Sequence, residues 1–487
     1  MARSTKRSHY RLTFVALLLG VLAYALLQSL VTPVLPTIQK EFHTSQATVT
    51  WVLTAYLLSA SIFTPILGRI GDMVGKERIM VVALVALGAG SVLAGLAHSI
   101  GVLIAARAIQ GIGGGVLPVS FGIIRDEFPA ARVATAVGFI AALAAVGGGA
   151  GIVLAGPIVA HLSYHWLFWI PLIIIVIATV ATVWFVPESP VRTPGAVSWT
   201  AALLLSGWLV ALLLAVSDAP QWGWASTRVL ALLAVAVVLG VAWVMVELRV
   251  KEPLIDMAMM RHPAVWTNNL VAFLFGMGMY SVIAFLPEFL QTPKSTGYGF
   301  GATITQSGIF LLPLTVTMFV FGLLSGRIAA AVGSKTAVIV GSVVSCGAYL
   351  ILAFAHSEAW EIYLASTLLG VGMGLAFSAM SNLIVQAVPA HQTGVASGMN
   401  ANIRTIGGAL GAAVMASIVT STLLGSGYPA ESGYTRGFAF LAVATGVAVV
   451  AAIFIPTAPA AGADVDPAHH LNHAELAAVA GGSLSEG

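Results

Sequence analysis

Few side chains in this 487-residue sequence could do chemistry, and several of those interrupt apolar runs. Arg107 and Arg404 each stand inside such a run. A guanidinium held out of water can bind an anion, or hold and tune a nearby carboxylate through charge-assisted hydrogen bonds. Glu288 lies near the end of another run, in Phe285-Leu286-Pro287-Glu288-Phe289-Leu290-Gln291. A carboxylate partly shielded from water is what a proton carrier needs; the bland alternative is an acid at headgroup level, exposed to water. Tyr24, Gln28, Tyr56, Asn268, Asn269, Tyr280, Asn382 and Gln386 are polar or aromatic residues that could line a path, although such residues more often bond one helix to another. Met277, Met279 and Met380 could soften an apolar pocket. Enzyme chemistry finds little support. Cys346 is the only cysteine, which excludes an intrachain disulfide and a cysteine metal cluster. There is no pair of acids within the apolar runs. His469, His470 and His473 could hold a metal, but they lie in an Ala/Gly-rich tail that reads as disordered. No cofactor or metal site is expected.

The elements that must position these residues follow from composition. Hydrophobic residues make up 59% of the chain and charged residues 8%, against about 25% charged in soluble domains. That excludes a soluble enzyme, a disordered chain and a nucleic-acid binder; the partner is the lipid bilayer. A span needs about 20 mostly apolar residues. Fourteen such runs occur, near 12–35, 48–70, 79–97, 101–124, 133–160, 166–186, 197–216, 229–247, 265–290, 304–328, 335–355, 360–387, 394–422 and 436–456. They lack the alternation of a membrane barrel, so helices are expected. The first run is too long for a secretory signal and reads as a retained span. Of the 21 lysines and arginines, fifteen fall on the side of the N-terminus, four on the other side and two within spans. This bias predicts both termini in the cytoplasm and a multi-pass protein of the plasma membrane.

An internal repeat divides the spans. Gly68-Arg69-Ile70 and Val74-Gly75 recur as Gly326-Arg327-Ile328 and Val332-Gly333. Gly111, Gly113 and Gly115 recur as Gly370, Gly372 and Gly374. Pro129-Ala130 recurs as Pro389-Ala390, and Gly147, Gly148 and Gly151 recur as Gly407, Gly408 and Gly411. The offset stays between 258 and 260 residues. Two parallel six-helix halves, with two extra spans between them, match transporters that rock about a central site. The expected layout is a cytoplasmic arm at 1–11, a first half at 12–190, two spans and a linker at 191–260, a second half at 261–457 and a tail at 458–487. The expected fold class is all-α integral membrane.

Three segments carry a family resemblance. Gly68-Arg69-Ile70-Gly71-Asp72-Met73-Val74-Gly75-Lys76-Glu77-Arg78 is similar to motif A of the major facilitator superfamily. Arg107-x-x-Gln110-Gly111 looks like its motif B. Gly138, Gly147 and Gly151, followed by Gly156-Pro157, resemble its antiporter motif C, with Ile152 where a proline is usual. The set resembles the fourteen-span drug–proton antiporter branch over about residues 12–456. Asn400, Asn402, Arg404, Gly407 and Gly408 are similar to a segment of that branch. The resemblance implies that Asp72, with Arg78 or with backbone amides of a neighbouring helix, latches one state, and that Arg107 takes part in proton coupling. It also implies that the motif C helix acts as a gate between the halves. Two departures stand out. Leu27 replaces an aspartate common in the first span, and Ala330 occupies the repeat position of Asp72.

The expected function is a monomeric exporter of small, mainly apolar molecules or drugs, by proton antiport and alternating access. Its candidate proton or substrate site comprises Glu288, Arg404, Gln28, Tyr24, Asn268 and Asn382. A dedicated exporter or flippase of one endogenous metabolite or lipid is the alternative. A membrane-embedded enzyme or receptor is remote.

Overall fold

The computed structural model describes residues 10–44, 46–189, 198–250, 253–389, 392–425 and 428–456. The arm before Tyr10, Arg192 and Lys251, and the tail with its three histidines lie outside the described residues. The apolar runs close their backbone hydrogen bonds within helices, as lipid demands. In the first half these are α1 (Tyr10–Ser29), the short α2 (Leu35–Glu41), α3 (Gln46–Val74), α4 (Lys76–Gly95), α5 (Ile100–Gly111), α6 (Val116–Glu127), α7 (Ala130–His161) and α8 (Trp166–Phe185). Then follow α9 (Trp199–Trp222), α10 (Thr227–Glu247) and the short α11 (Met257–Arg261). The second half comprises α12 (Pro263–Gln291), α13 (Ile304–Val332), α14 (Ser334–Phe354), α15 (Ala359–Ala387), α16 (Thr393–Val419) and α17 (Glu431–Ile453). Among the described residues fourteen segments are long and apolar enough to cross a membrane, with α5 and α6 counted as one.

The repeat is visible in three dimensions. α13 begins and ends 258 residues after α3. Gly75 and Gly333, also 258 apart, both adopt positive φ (128° and 85°) at the turn into the next helix, a conformation that favours glycine. Within the first half α1 packs on α7 and α8, α3 on α5, and α4 on α5 and α8. The second half reproduces these pairs as α12 on α16 and α17, α13 on α15, and α14 on α15 and α17. Each half has its own apolar core. The halves meet through α7 against α13 and α15, and α3 and α6 against α16. α9 pairs with α10 and touches both α16 and α3. α10 shows its apolar side chains outward, with Val237 and Val238 about two-thirds exposed.

One span departs from the sequence expectation. The run 101–124 is broken at its centre by a 3-10 turn, Ile112–Gly115. Gly113, Gly114 and Gly115 are consecutive and fit against Leu87, Thr64 and Leu67. Glycine weakens a helix interior, and a tightened turn there is a common hinge feature. The repeated glycines Gly370, Gly372 and Gly374 alternate with larger residues, and α15 runs through unbroken.

Candidate functional site: a chamber between the halves

Near the middle of the spans, a chamber of about 80 Å³ lies between the halves. Tyr24 and Gln28 of α1, Tyr280 of α12, Phe377 of α15, and Asn402 and Arg404 of α16 are part of its wall. Gln28 Nε2 donates to Tyr280 Oη at 3.1 Å, joining one half to the other. Both residues also line a larger cavity of about 320 Å³. Their hydrogen bond therefore stands where chamber and larger cavity meet. The guanidinium of Arg404 lies 5.3 Å from the Phe377 ring centroid. No Asp or Glu among the described residues lines the chamber.

Helix contacts at backbone distance place Arg404. A Cβ on Gly276 of α12 would overlap the Arg404 carbonyl, and Gly407 and Gly411 press likewise on Phe273 and Met277. Small residues allow this approach. The repeat explains the motif C glycines. Gly147 and Gly151 face Ala25 and Ser29 of α1, and Ser29 Oγ donates to the Gly147 carbonyl at 3.0 Å. These two glycines hold α7 to its own half, while the helix itself also lies against α13 and α15 of the other. Other residues of α7 meet the other half: the Gly138 carbonyl accepts from Ser378 Oγ at 3.0 Å, Gly149 packs on Thr315, and Thr135, Ala142 and Val153 lie against Gly326, Gly322 and Gly308 of α13. Pro157 lies inside α7, close to its end and exposed, next to Gly156.

Arg107 is wholly buried behind the chamber. Its Nε donates to the Val52 carbonyl at 3.1 Å, and Nη1 donates to the Leu27 carbonyl at 3.1 Å and to Gln110 Oε1 at 2.7 Å. Its Cζ stacks 4.1 Å from the Tyr56 ring centroid. Gln110 Nε2 passes the network on to Ser91 Oγ at 3.0 Å, and Gly111 abuts Ser59 and the Tyr56 carbonyl. A charge inside a span costs about 2.5–3.5 kcal/mol on insertion scales, and these contacts offset that penalty. The expectation that Arg107 tunes a nearby acid is corrected: its hydrogen-bond partners among the described residues are carbonyl oxygens, and it ties α1, α3, α4 and α5 together.

The charged end of the bundle is closed. Lys76, 1% exposed, pairs with Asp126 at 2.7 Å and with Asp72 at 3.5 Å. Arg78 pairs with Glu188 at 3.0 Å, not with Asp72. Asp72 instead lies under the first turn of α16, where a Cβ on Gly394 would sit 3.0 Å from its Oδ2. Gly68 meets Gly394 backbone to backbone. Arg125 Nη1 donates to the carbonyls of Val385 and Val388 at 2.5 and 2.6 Å, and to Thr393 Oγ1 at 2.8 Å. An acid thus faces a helix N-terminus and a base faces a helix C-terminus, the favourable sign in each case. At the far end the 320 Å³ cavity separates Thr54 of α3 from Ala413 and Ala416 of α16.

Glu288 lines a further cavity of about 310 Å³ at that far end, shared with Thr32 and Pro33 of the first half. Tyr434 Oη donates to its Oε1 at 3.1 Å. Of the other expected site residues, Tyr24, Gln28 and Arg404 meet in the chamber, with Met279 and Tyr280. Asn268 is fully buried, and its Nδ2 donates to the Met380 carbonyl at 2.9 Å; this is the interhelical bond that such residues more often make. Asn382 sits at the contact of α15 with Gly138. Sequence reasoning missed Arg125, Phe377 and Tyr434. Arg125 had a signal, being a base at the end of a span beside the paired Asp126. The two aromatic residues had none.

Comparison with known proteins places this geometry. The family model described as Major Facilitator Superfamily matches residues 17–412 and 269–480. The chain is 27% identical over 415 residues to a multidrug transporter protein of Bacillus subtilis, covering 84% of the chain and 75% of the relative. It is 27% identical over 411 residues to a tetracenomycin C resistance and export protein of Streptomyces glaucescens (82% and 74%). It is 28% identical over 410 residues to a multidrug resistance protein of Mycobacterium tuberculosis (83% and 74%). Among solved structures, the human organic anion transporter MFSD10 superposes with a TM-score of 0.66 at 17% identity, over 92% of this chain and 100% of the other. At that identity the likeness concerns the fold.

Proposed function

The chain belongs to the major facilitator superfamily, and from that premise we propose that it exports small, mainly apolar molecules by alternating access coupled to proton antiport. That it is a multi-pass membrane transporter of this superfamily, and not an enzyme, follows from the family itself. The direction, the coupling, the plasma membrane, the cytoplasmic termini and a monomeric state are our reading. One observation carries it: a chamber between two repeated halves that are latched at one end and parted at the other. With the basic end in the cytoplasm, this is an outward-facing arrangement, latched by Asp72 and Arg125. Glu288 is our candidate for the proton carrier, because its carboxylate faces an outer cavity bordered by both halves. Export is supported by relatives whose names describe multidrug transport or tetracenomycin C export. A dedicated exporter of one metabolite is the second reading, favoured by Leu27 where the branch often carries an acid.

The test is reconstitution into liposomes with an imposed pH gradient. Dye or drug efflux should follow the gradient, and Glu288→Gln should uncouple it. Efflux indifferent to the gradient would reject proton antiport.

A further inference from the structure

We infer that the central chamber takes organic anions, specifically aromatic molecules bearing a carboxylate or phenolate, with Arg404 as the charge they meet. The inference rests on reading this chamber as the substrate site.

Among the described residues Arg404 is the single charged one in the chamber wall, and none of them brings a carboxylate to it. Arg107 gives its Nε and Nη1 to carbonyl oxygens and its face to a ring, with only Nη2 left over, whereas Arg404 has the Phe377 ring and no ion pair among the described residues. Arg404 is half-buried in that wall; a partly desolvated charge without an opposite charge is unfavourable, and a ring face compensates only part of that. A bound anion completes the compensation, and the guanidinium fork suits a carboxylate. A second observation points the same way. Asn402 is 1% exposed, lines the chamber, and has neither Oδ1 nor Nδ2 hydrogen-bonded. Its amide is a buried polar group free to bond a polar atom of whatever the chamber holds. Phe377 and Tyr24 supply ring faces for an aromatic body. At about 80 Å³ the chamber is too small for such a molecule. Entry therefore requires the Gln28–Tyr280 bond to part, which merges the chamber with the 320 Å³ cavity. A cation would meet Arg404 with nothing to offset the repulsion.

The test is fluorescence anisotropy on the purified full-length protein in detergent. Fluorescein is the anionic probe and ethidium a planar cation of similar size. Fluorescein should bind at least tenfold more tightly than ethidium. Arg404→Gln should weaken fluorescein binding at least tenfold without weakening ethidium, and Arg404→Lys should restore part of the loss. Ethidium binding as tightly as fluorescein, or fluorescein affinity unchanged in Arg404→Gln, overturns the inference. The comparison of probes on the parent protein needs no variant, so a misfolded Arg404→Gln cannot mask the outcome. If fluorescein binds through Arg404 but liposomes never release it, export fails and the anion site stands. If ethidium is exported while fluorescein does not bind, the anion site fails and export stands.

Discussion

Two arginines inside spans look alike in the sequence, yet the structure gives them opposite surroundings. Arg107 spends its donors on three oxygens from two neighbouring helices and its own. Hydrogen bonds to a charged group are worth about 1.5–3 kcal/mol each. Arg107→Gln should therefore destabilise the protein by at least about 2 kcal/mol, read as a lower melting temperature in detergent. Arg404→Gln removes little beyond a ring contact and should change stability by less than about 1 kcal/mol. Equal losses in the two variants would contradict the division of labour. That each arginine needed a reason was legible from its place in an apolar run. Which reason applied was not, because the deciding partners of Arg107 are backbone carbonyls of Leu27 and Val52, about 55 to 80 residues away. Backbone acceptors carry no mark in a sequence.

The helices were far more legible than their contacts. Expected spans near 265–290 and 360–387 emerge as Pro263–Gln291 and Ala359–Ala387, since length and apolarity alone determine a span. The direction a glycine faces depends on helix rotation, which composition does not encode, so that Gly147 and Gly151 face α1 of their own half was not legible. Their neighbour Gly148 supplies the control, because a Cβ there meets nothing within 4 Å. Gly148→Ala should be neutral or stabilise by up to about 1 kcal/mol through helix propensity. Gly147→Ala would force its Cβ onto that of Ala25 and should cost about 1–3 kcal/mol by overpacking. Thermal melts of the two variants side by side decide the matter.

For the molecule as a whole, the latch at the charged end and the gap at the far end are one state of a two-state body. Spin labels at Thr54 and Ala416, across the gap between α3 and α16, would report it. Arg125→Ala combined with Asp72→Asn should raise the population with a short distance, as the charged end loosens and the far end closes. An unchanged distance distribution would separate the latch from the swing. The lone positive charge of the chamber has an electrical corollary. Empty, the carrier presents Arg404 uncompensated; loaded with a monovalent anion, it is neutral at that point. A voltage negative inside pulls on a positive charge by about 2.3 kcal/mol per 100 mV when it crosses the full field. Through Arg404 the voltage therefore acts on the return stroke without cargo and draws the vacant binding site inward to be refilled, while on the outward stroke the cargo cancels that residue's share.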